Sequence, residues 1–276
     1  MAKRKLLLGS VELRTEPRFN RIFQDDAYCV ELKDGKIIKK VSNQSNPKLF
    51  LPLLSLLKNE FEVLEYLFSE GAPVPKPFSL DSCAGILTEK FIPYSPLSQR
   101  CSQLSYEAQI ALVLEIARVL HTHLHEKNVT HHDLHPGNIL LAPKLTFIDF
   151  STSSRADFPQ TSKIVYCAIP RTCFDYAPPE EYTLDKAPDS GPSGDIFSLG
   201  AIFYHLLSGH VPFCESRPSH KYSMDHFDTP FWPVLEKSMK KAWQDRYRSA
   251  LEMADEIDKI AAKEGLKIPP YLSEVE

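Results

Sequence analysis

The spacing of apolar residues changes character near Pro93. Before it, short runs of strand-forming residues dominate. Tyr28-Cys29-Val30-Glu31-Leu32 and Ile37-Ile38-Lys39-Lys40-Val41 flank Lys33-Asp34-Gly35-Lys36. Asp-Gly between two such runs is a strong turn signal, so a β-hairpin is predicted. Phe61, Leu64, Leu67 and Phe68 then recur at helical spacing, which predicts a helix from Leu56 to Glu70, stopped by Gly71. The apolar run from Leu49 to Leu57 is broken by Pro52 and Ser55 and reads as the buried approach to that helix. Ala72-Pro73-Val74-Pro75-Lys76-Pro77 predicts an extended connector, because proline forbids helix and biases its neighbours toward extended backbone. Gly85 to Phe91 reads as a buried strand. The expected order is strand, strand, helix, strand.

After Pro93 the helical period takes over. Leu112, Ile116 and Leu120 line one face of a helix predicted from Tyr106 to Lys127. Two short strands follow, at 139–141 and 145–148. A long Pro-, Ser- and Thr-rich segment then runs from Ser151 to Gly191. Loops of that length inside a compact domain are usually functional. Helices are predicted again at 195–208, 233–243 and 249–263. The expectation is an α+β chain in two lobes: residues 1–91 small and mostly β with one long helix, residues 92–265 larger and helical, and residues 266–276 a C-terminal tail.

Charge removes some functions from the list. Lys and Arg number 32 against 36 Asp and Glu, a net charge of -4. A general nucleic-acid binder is usually basic, so nucleic acid is not an expected partner. No apolar run is long enough for a membrane span, and Leu6-Leu7-Leu8 is too short for a signal-peptide core. The 6 cysteines are scattered without a CxxC pair and read as reduced thiols. A cytoplasmic location is expected.

The chemistry concentrates in His131-His132-Asp133-Leu134-His135-Pro136-Gly137-Asn138, placed between a helix and a strand, and in Ile148-Asp149-Phe150-Ser151 shortly after. Phosphoryl transfer needs a carboxylate to orient the attacking hydroxyl and accept its proton. It also needs oxygen ligands for Mg²⁺ between the phosphates. Asp133 followed by Asn138 on one loop supplies a base and a ligand, and Asp149 supplies the second ligand. Asp, Asn, Pro and Gly are common in loops simply because they make turns. The turn reading weakens once both motifs occur in order across a short hairpin.

These motifs resemble those of the protein-kinase superfamily. His131-His132-Asp133 stands where its His-Arg-Asp stands, and Asp149-Phe150-Ser151 where its Asp-Phe-Gly stands. Tyr176-Ala177-Pro178-Pro179-Glu180 is similar to the end of an activation segment. Gly194 to Gly209 is similar to the central buried helix, in which Asp195 would hold the catalytic loop. Arg246-Tyr247-Arg248-Ser249-Ala250-Leu251-Glu252-Met253 resembles a segment whose arginine, here Arg246, would pair with Glu180. The resemblance covers roughly residues 28 to 260 and implies a bilobal kinase-like fold that uses ATP and Mg²⁺. It assigns Asp133, His131 and Asn138 to catalysis and Asn138 and Asp149 to the metal. Lys39 would reach the phosphates, with its neighbour Lys40 as the alternative because adjacent strand residues face opposite ways. Glu60 would position that lysine, with Glu62 and Glu65 on the same helix as alternatives. Thr88 would sit at the back of the nucleotide pocket, the backbone from Glu89 to Phe91 would bond adenine, and Leu140 belongs to the same cofactor site.

Three departures bear on function. No GxGxxG precedes the hairpin, and Phe23-Gln24-Asp25-Asp26-Ala27 carries two acids, which repel phosphates. His135 replaces the usual lysine, and Asp-Leu-His-Pro-Gly-Asn is closer to small-molecule and lipopolysaccharide-sugar kinases. His132 replaces an arginine that reads a phosphorylated segment, so activity is expected not to depend on modification of Ser151 to Ser154, Thr161, Ser162 or Thr172. Arg171 is the fallback phosphate reader. The histidines His121, His123, His125, His131, His132 and His135 raise a zinc site as a minor reading. The favoured expectation is a kinase acting on protein Ser/Thr hydroxyls. A sugar hydroxyl is the alternative acceptor, and a non-catalytic pseudokinase scaffold is the third reading. The substrate's identity and the oligomeric state are not encoded in these patterns.

Overall fold

A computed structural model describes residues 20–24, 28–42, 47–156, 175–182, 190–212 and 224–271. The smaller lobe is one five-stranded antiparallel sheet with a helix against one face. Its strands are β1 (Asn20–Gln24), β2 (Tyr28–Lys33), β3 (Lys36–Val41), β4 (Pro77–Asp81) and β5 (Ile86–Lys90), in spatial order β1-β2-β3-β5-β4. The predicted hairpin is β2–β3. Asp34 and Gly35 both take positive φ, 50° and 70°, as the tight Asp-Gly turn requires.

Two strands escape the pattern of the sequence, β1 and β4. The connector from Ala72 ends in β4, which opens on Pro77, a position where a missing N–H does little harm. The helix α1 (Pro47–Ser69) begins nine residues before the predicted Leu56 and carries Pro52 inside it. The expected approach segment is therefore its first part. Proline removes one intrahelical bond near that end, while Leu53, Leu56 and Leu57 bury against Val41 and Leu87 of the sheet. Burial of three leucines outweighs one lost bond.

The larger lobe is built on α2 (Tyr106–His123), α3 (Pro192–Ser208), α4 (Trp232–Ser238) and α5 (Ala250–Lys263). Ser105 caps α2 by accepting from the Ala108 amide, and Ser249 caps α5 by accepting from Glu252. α2 ends short of the predicted Lys127, because a tight turn (His125–Lys127) closes on Asn128 at φ 58°. α4 is likewise shorter than predicted and stops at Ser238. α3 is buried almost all round, from Gly194 to Tyr204. A Cβ on Gly200 would lie 2.2 Å from Ser238 Oγ, so the missing side chain is what lets α3 and α4 approach. Two small antiparallel pairs complete the lobe, β6 (Val129–Thr130) with β9 (Ser154–Arg155) and β7 (Ile139–Leu140) with β8 (Thr146–Phe147). The tail reaches Tyr271, whose hydroxyl donates to the Ala142 carbonyl. No helix among the described residues is long and apolar enough to cross a membrane.

Candidate active site

Register decides which lysine enters the cleft. β3 pairs with β5 so that Lys39 lies opposite Leu87, on the sheet face that α1 covers. Lys40 points the other way and is exposed. On α1 the helical period turns Glu60 inward, 1% exposed, while Glu62 and Glu65 face solvent. Lys39 Nζ donates to Glu60 Oε1, and lies 3.8 Å from Glu89 Oε1 and 3.9 Å from Asp149 Oδ1. Burial disfavours the ammonium, but these three carboxylates outweigh it and hold Lys39 well above the ordinary lysine range. Burial pushes the carboxyls of Glu60 and Glu89 upward against the pull of Lys39.

The loop carrying Asp133 is hung from α3. Asp195, fully buried, accepts from the His131 amide at 2.8 Å, the His132 amide at 2.9 Å and the His125 ring at 3.0 Å. Burial opposes its charge, yet the His125 hydrogen bond and the surrounding histidines keep its carboxyl below the usual range. His131 is packed beside Phe150, ring centroids 4.9 Å apart. Its Nε2 meets the Ile148 carbonyl at 3.1 Å and its Nδ1 accepts from the Asp133 amide at 3.3 Å. One ring nitrogen thus donates and the other accepts, which fixes a neutral tautomer. His132 and Asp149 both sit at φ 64°, a strained setting for non-glycine residues that persists only where surroundings impose it.

Asn138 donates its amide N–H to the Asp133 carbonyl at 2.9 Å, which leaves its Oδ1 as the group able to meet a cation. Partial burial opposes the charge on Asp149, but Lys39 and a hydrogen bond from Ser151 hold its carboxyl below the ordinary value. An ionised carboxylate and an amide oxygen are hard donors of the kind Mg²⁺ takes, so the residues fit that ion. Asp133 is 23% exposed and open to an acceptor, with His135 Nε2 at 3.9 Å from Oδ2.

The base end of the cleft differs from the expectation. Thr88 lies opposite Ile38 and Ser79, so it faces away from Lys39, and Glu89 points inward instead. The Phe91 amide is spent on the Gly35 carbonyl at 3.0 Å, which removes it as a donor to adenine. Leu140 is buried and bridged to Pro96, under the connection between the lobes.

Two positions at this site left no sequence motif. Asn59, beside Glu60, points its amide nitrogen at the carbonyls of Phe150, Ser151 and Ser153, at 3.3, 3.1 and 2.8 Å. It ties α1 to the stretch after Asp149. The Glu89 side chain is the other, and only strand register reveals its direction. Downstream, Arg246 makes a two-bond fork with Glu180 at 2.7 and 2.8 Å and also donates to the Lys240 and Ser193 carbonyls. His132 Nε2 meets Ser154 Oγ at 2.6 Å. Asp25, Asp26, Thr161, Ser162, Arg171 and Thr172 lie outside the described residues.

Comparisons with known proteins agree with this geometry. Residues 87–265 match the profile of the protein kinase domain, and residues 2–163 match that of the lipopolysaccharide kinase (Kdo/WaaP) family. The chain is 30% identical over 145 residues to the probable serine/threonine-protein kinase fhkC of Dictyostelium discoideum, covering 49% of this chain and 24% of that one. It is 26% identical over 186 residues to serine/threonine-protein kinase PknA of Mycobacterium tuberculosis, covering 62% and 41%. The chain spans half or less of the length of the first such relatives. The crystal structure of the M. tuberculosis PknI kinase domain superposes with a TM-score of 0.60 at 20% identity, covering 85% of this chain and 90% of that one, a likeness of fold. With an inward lysine–glutamate pair, an aspartate-hung loop and a protein kinase domain match over most of the larger lobe, the chain belongs to the protein-kinase superfamily.

Proposed function

We propose that the chain transfers the γ-phosphoryl group of ATP, with Mg²⁺, to a Ser or Thr hydroxyl of a protein. The observation that carries this reading is the convergence of Lys39, Glu60 and Asp149 from three separate elements, next to a loop that presents Asp133. In this reading Lys39, steadied by Glu60, holds the α/β-phosphates. Asp149 and Asn138 hold the metal, which when bound neutralises charge between the phosphates. Asp133 orients the acceptor hydroxyl and takes its proton, while His131 and Asp195 fix the loop that carries it. The γ-phosphorus–oxygen bond to ADP breaks as the bond to the acceptor oxygen forms.

The match over residues 87–265 favours a protein acceptor, and so does the Glu180–Arg246 fork at the end of the activation segment. A second reading, a sugar hydroxyl as acceptor, is supported by the lipopolysaccharide-kinase match over residues 2–163 and by His135 beside Asp133. The deciding experiment incubates purified protein with labelled ATP, Mg²⁺ and two acceptors in separate reactions, a generic protein mixture and a delipidated lipopolysaccharide core. We expect label in protein, abolished by Asp133→Ala while nucleotide binding persists. Label in the saccharide alone would move the function to the second reading. Nucleotide binding without transfer to either acceptor would make the chain a nucleotide-gated scaffold.

A further inference from the structure

The sheet of the smaller lobe carries a row of lysines on the face turned away from the cleft. Lys33 lies opposite Lys36 across the β2–β3 hairpin, and Lys36 lies opposite Lys90 on β5. The Lys90 amide in turn donates to the Lys76 carbonyl at 2.9 Å, just before β4 begins. All of these lysines are exposed. The row crosses neighbouring strands at about 4.8 Å each, about 14 Å in all. Lys36 and Lys39 are an odd number of residues apart on β3, so they face opposite ways. Two exposed rings stand among the lysines: Phe78 on β4, 43% exposed, and Phe68 near the end of α1, 44% exposed. Lys36 Nζ lies 5.1 Å from the centre of the Phe78 ring, and Lys76 Nζ lies 5.8 Å from it and 5.9 Å from that of Phe68. Glu31 and Asp34 belong to the same hairpin, yet among the described residues Lys36, Lys76 and Lys90 pair with no carboxylate. Like charges directly opposite one another weaken a sheet, so stability does not account for the row.

We propose that this face of the smaller lobe docks on an anionic lipid surface, its lysines meeting head-group phosphates while Phe68 and Phe78 enter the head-group layer. Three features favour lipid over an acidic peptide. A sheet face is flat, and cations spread over about 14 Å match a plane of phosphates rather than one carboxylate side chain. The apolar rings stand at the level of the ammonium groups, the arrangement of interfacial segments whose lysines reach outward to head groups. The chain as a whole carries a net charge of -4, so its other surfaces are repelled by the same anionic surface and the attraction selects one orientation. In that orientation Lys39, on the opposite face of β3, keeps its cleft away from the lipid. The proposal requires no membrane-crossing helix and holds whichever hydroxyl accepts the phosphoryl group.

The test is co-sedimentation of the full chain with vesicles of phosphatidylcholine alone and of phosphatidylcholine with about one third phosphatidylglycerol. Wild type should partition onto the anionic vesicles at least about tenfold more strongly than onto the neutral ones. Lys36→Glu combined with Lys76→Glu should lower that partitioning at least about tenfold. Phe78→Ser should lower it about threefold or more, and the loss should persist at high salt, which screens the lysines but not the ring. Lys259→Glu combined with Lys263→Glu makes the same change in net charge at exposed positions on α5 of the larger lobe, and should leave partitioning within about twofold of wild type. Every substituted residue is exposed, so the variants should melt with wild type. The single variants Lys36→Glu and Phe78→Ser serve if the double variant does not fold. Equal partitioning of wild type onto both kinds of vesicle would overturn the proposal. So would an equal loss in the α5 variant, which would reduce the effect to net charge. Binding to soluble polyglutamate that matches the anionic vesicles and survives Phe78→Ser would give the face to an acidic peptide instead.

Discussion

His131 is fully buried, its ring packed against Phe150 and its two nitrogens committed to the Ile148 carbonyl and the Asp133 amide. Burial outweighs the pull of Asp195 and Asp133 and lowers its pKa from the ordinary 6.5. A base whose folded pKa is depressed contributes its full stability above the unfolded value. That contribution fades as pH falls below about 6.5, because the unfolded chain then binds the proton first. Urea denaturation of wild type and His131→Gln from pH 7.5 to 5.5 tests this. Gln keeps an N–H for the Ile148 carbonyl and does not titrate. The stability of wild type relative to the variant should fall toward acid pH, by at most about 1.4 kcal/mol per pH unit. Parallel curves would mean that the ring takes up its proton equally in both states.

At the scale of elements, α1 links the smaller lobe to the segment after Asp149. It supplies Glu60 to the site, and the Asn59 amide on it reaches three carbonyls of the segment after Asp149. Asn59→Ala would strand those carbonyls at a cost of about 1–3 kcal/mol. It would also free α1 to rotate Glu60 away from Lys39. We expect kcat/KM for phosphotransfer to fall on the order of tenfold, as the loss of a positioning contact implies, while the exposed neighbour Lys58→Ala leaves it unchanged. Steady-state kinetics of the two variants decide it. Equal activity in both would show that the tether is dispensable. On the same segment, His132 is bonded to Ser154 through its ring, so it is already occupied beside the position where a phosphate reader would act.

The whole molecule depends on close contacts between distant stretches. Arg246 joins Glu180 to the carbonyls of Ser193 and Lys240 and lies 4.8 Å over the Phe197 ring, so one side chain fastens the end of the activation segment to α3. Gly200 and Ser238 make a close crossing of α3 and α4. Gly200→Ala should destabilise by about 1–3 kcal/mol through overpacking. Thermal denaturation would register this as a melting temperature several degrees lower, at about 2–4 °C per kcal/mol for a chain of this size. Adding Ser238→Gly removes the facing atoms and should restore part of the loss. A double variant no more stable than Gly200→Ala would mean that the crossing relaxes by another route.

The short-range placement of the polar residues was legible in the sequence. Asp133, Asn138 and Asp149 lie on neighbouring loops whose spacing alone suggests a base and two metal ligands, and Asp34-Gly35 wrote its own turn. The helical period found the cores of α1, α2, α3 and α5. What needed the tertiary structure was direction. Lys39 and Lys40 are equivalent until β3 is registered against β5, and Glu60, Glu62 and Glu65 until α1 docks. Thr88 turns away from Lys39 and Glu89 toward it for the same reason: a strand has two faces, and which one is inward is set by its partners. The N-terminal part of α1 was hidden because Pro52 argues locally against helix, whereas burial of Leu53, Leu56 and Leu57 wins only once a sheet is there to receive them. Asn59 and Glu89 carry no motif because their partners lie tens of residues away. Local spacing encodes turns, caps and loops, whereas the facing of a side chain is a long-range property that packing decides.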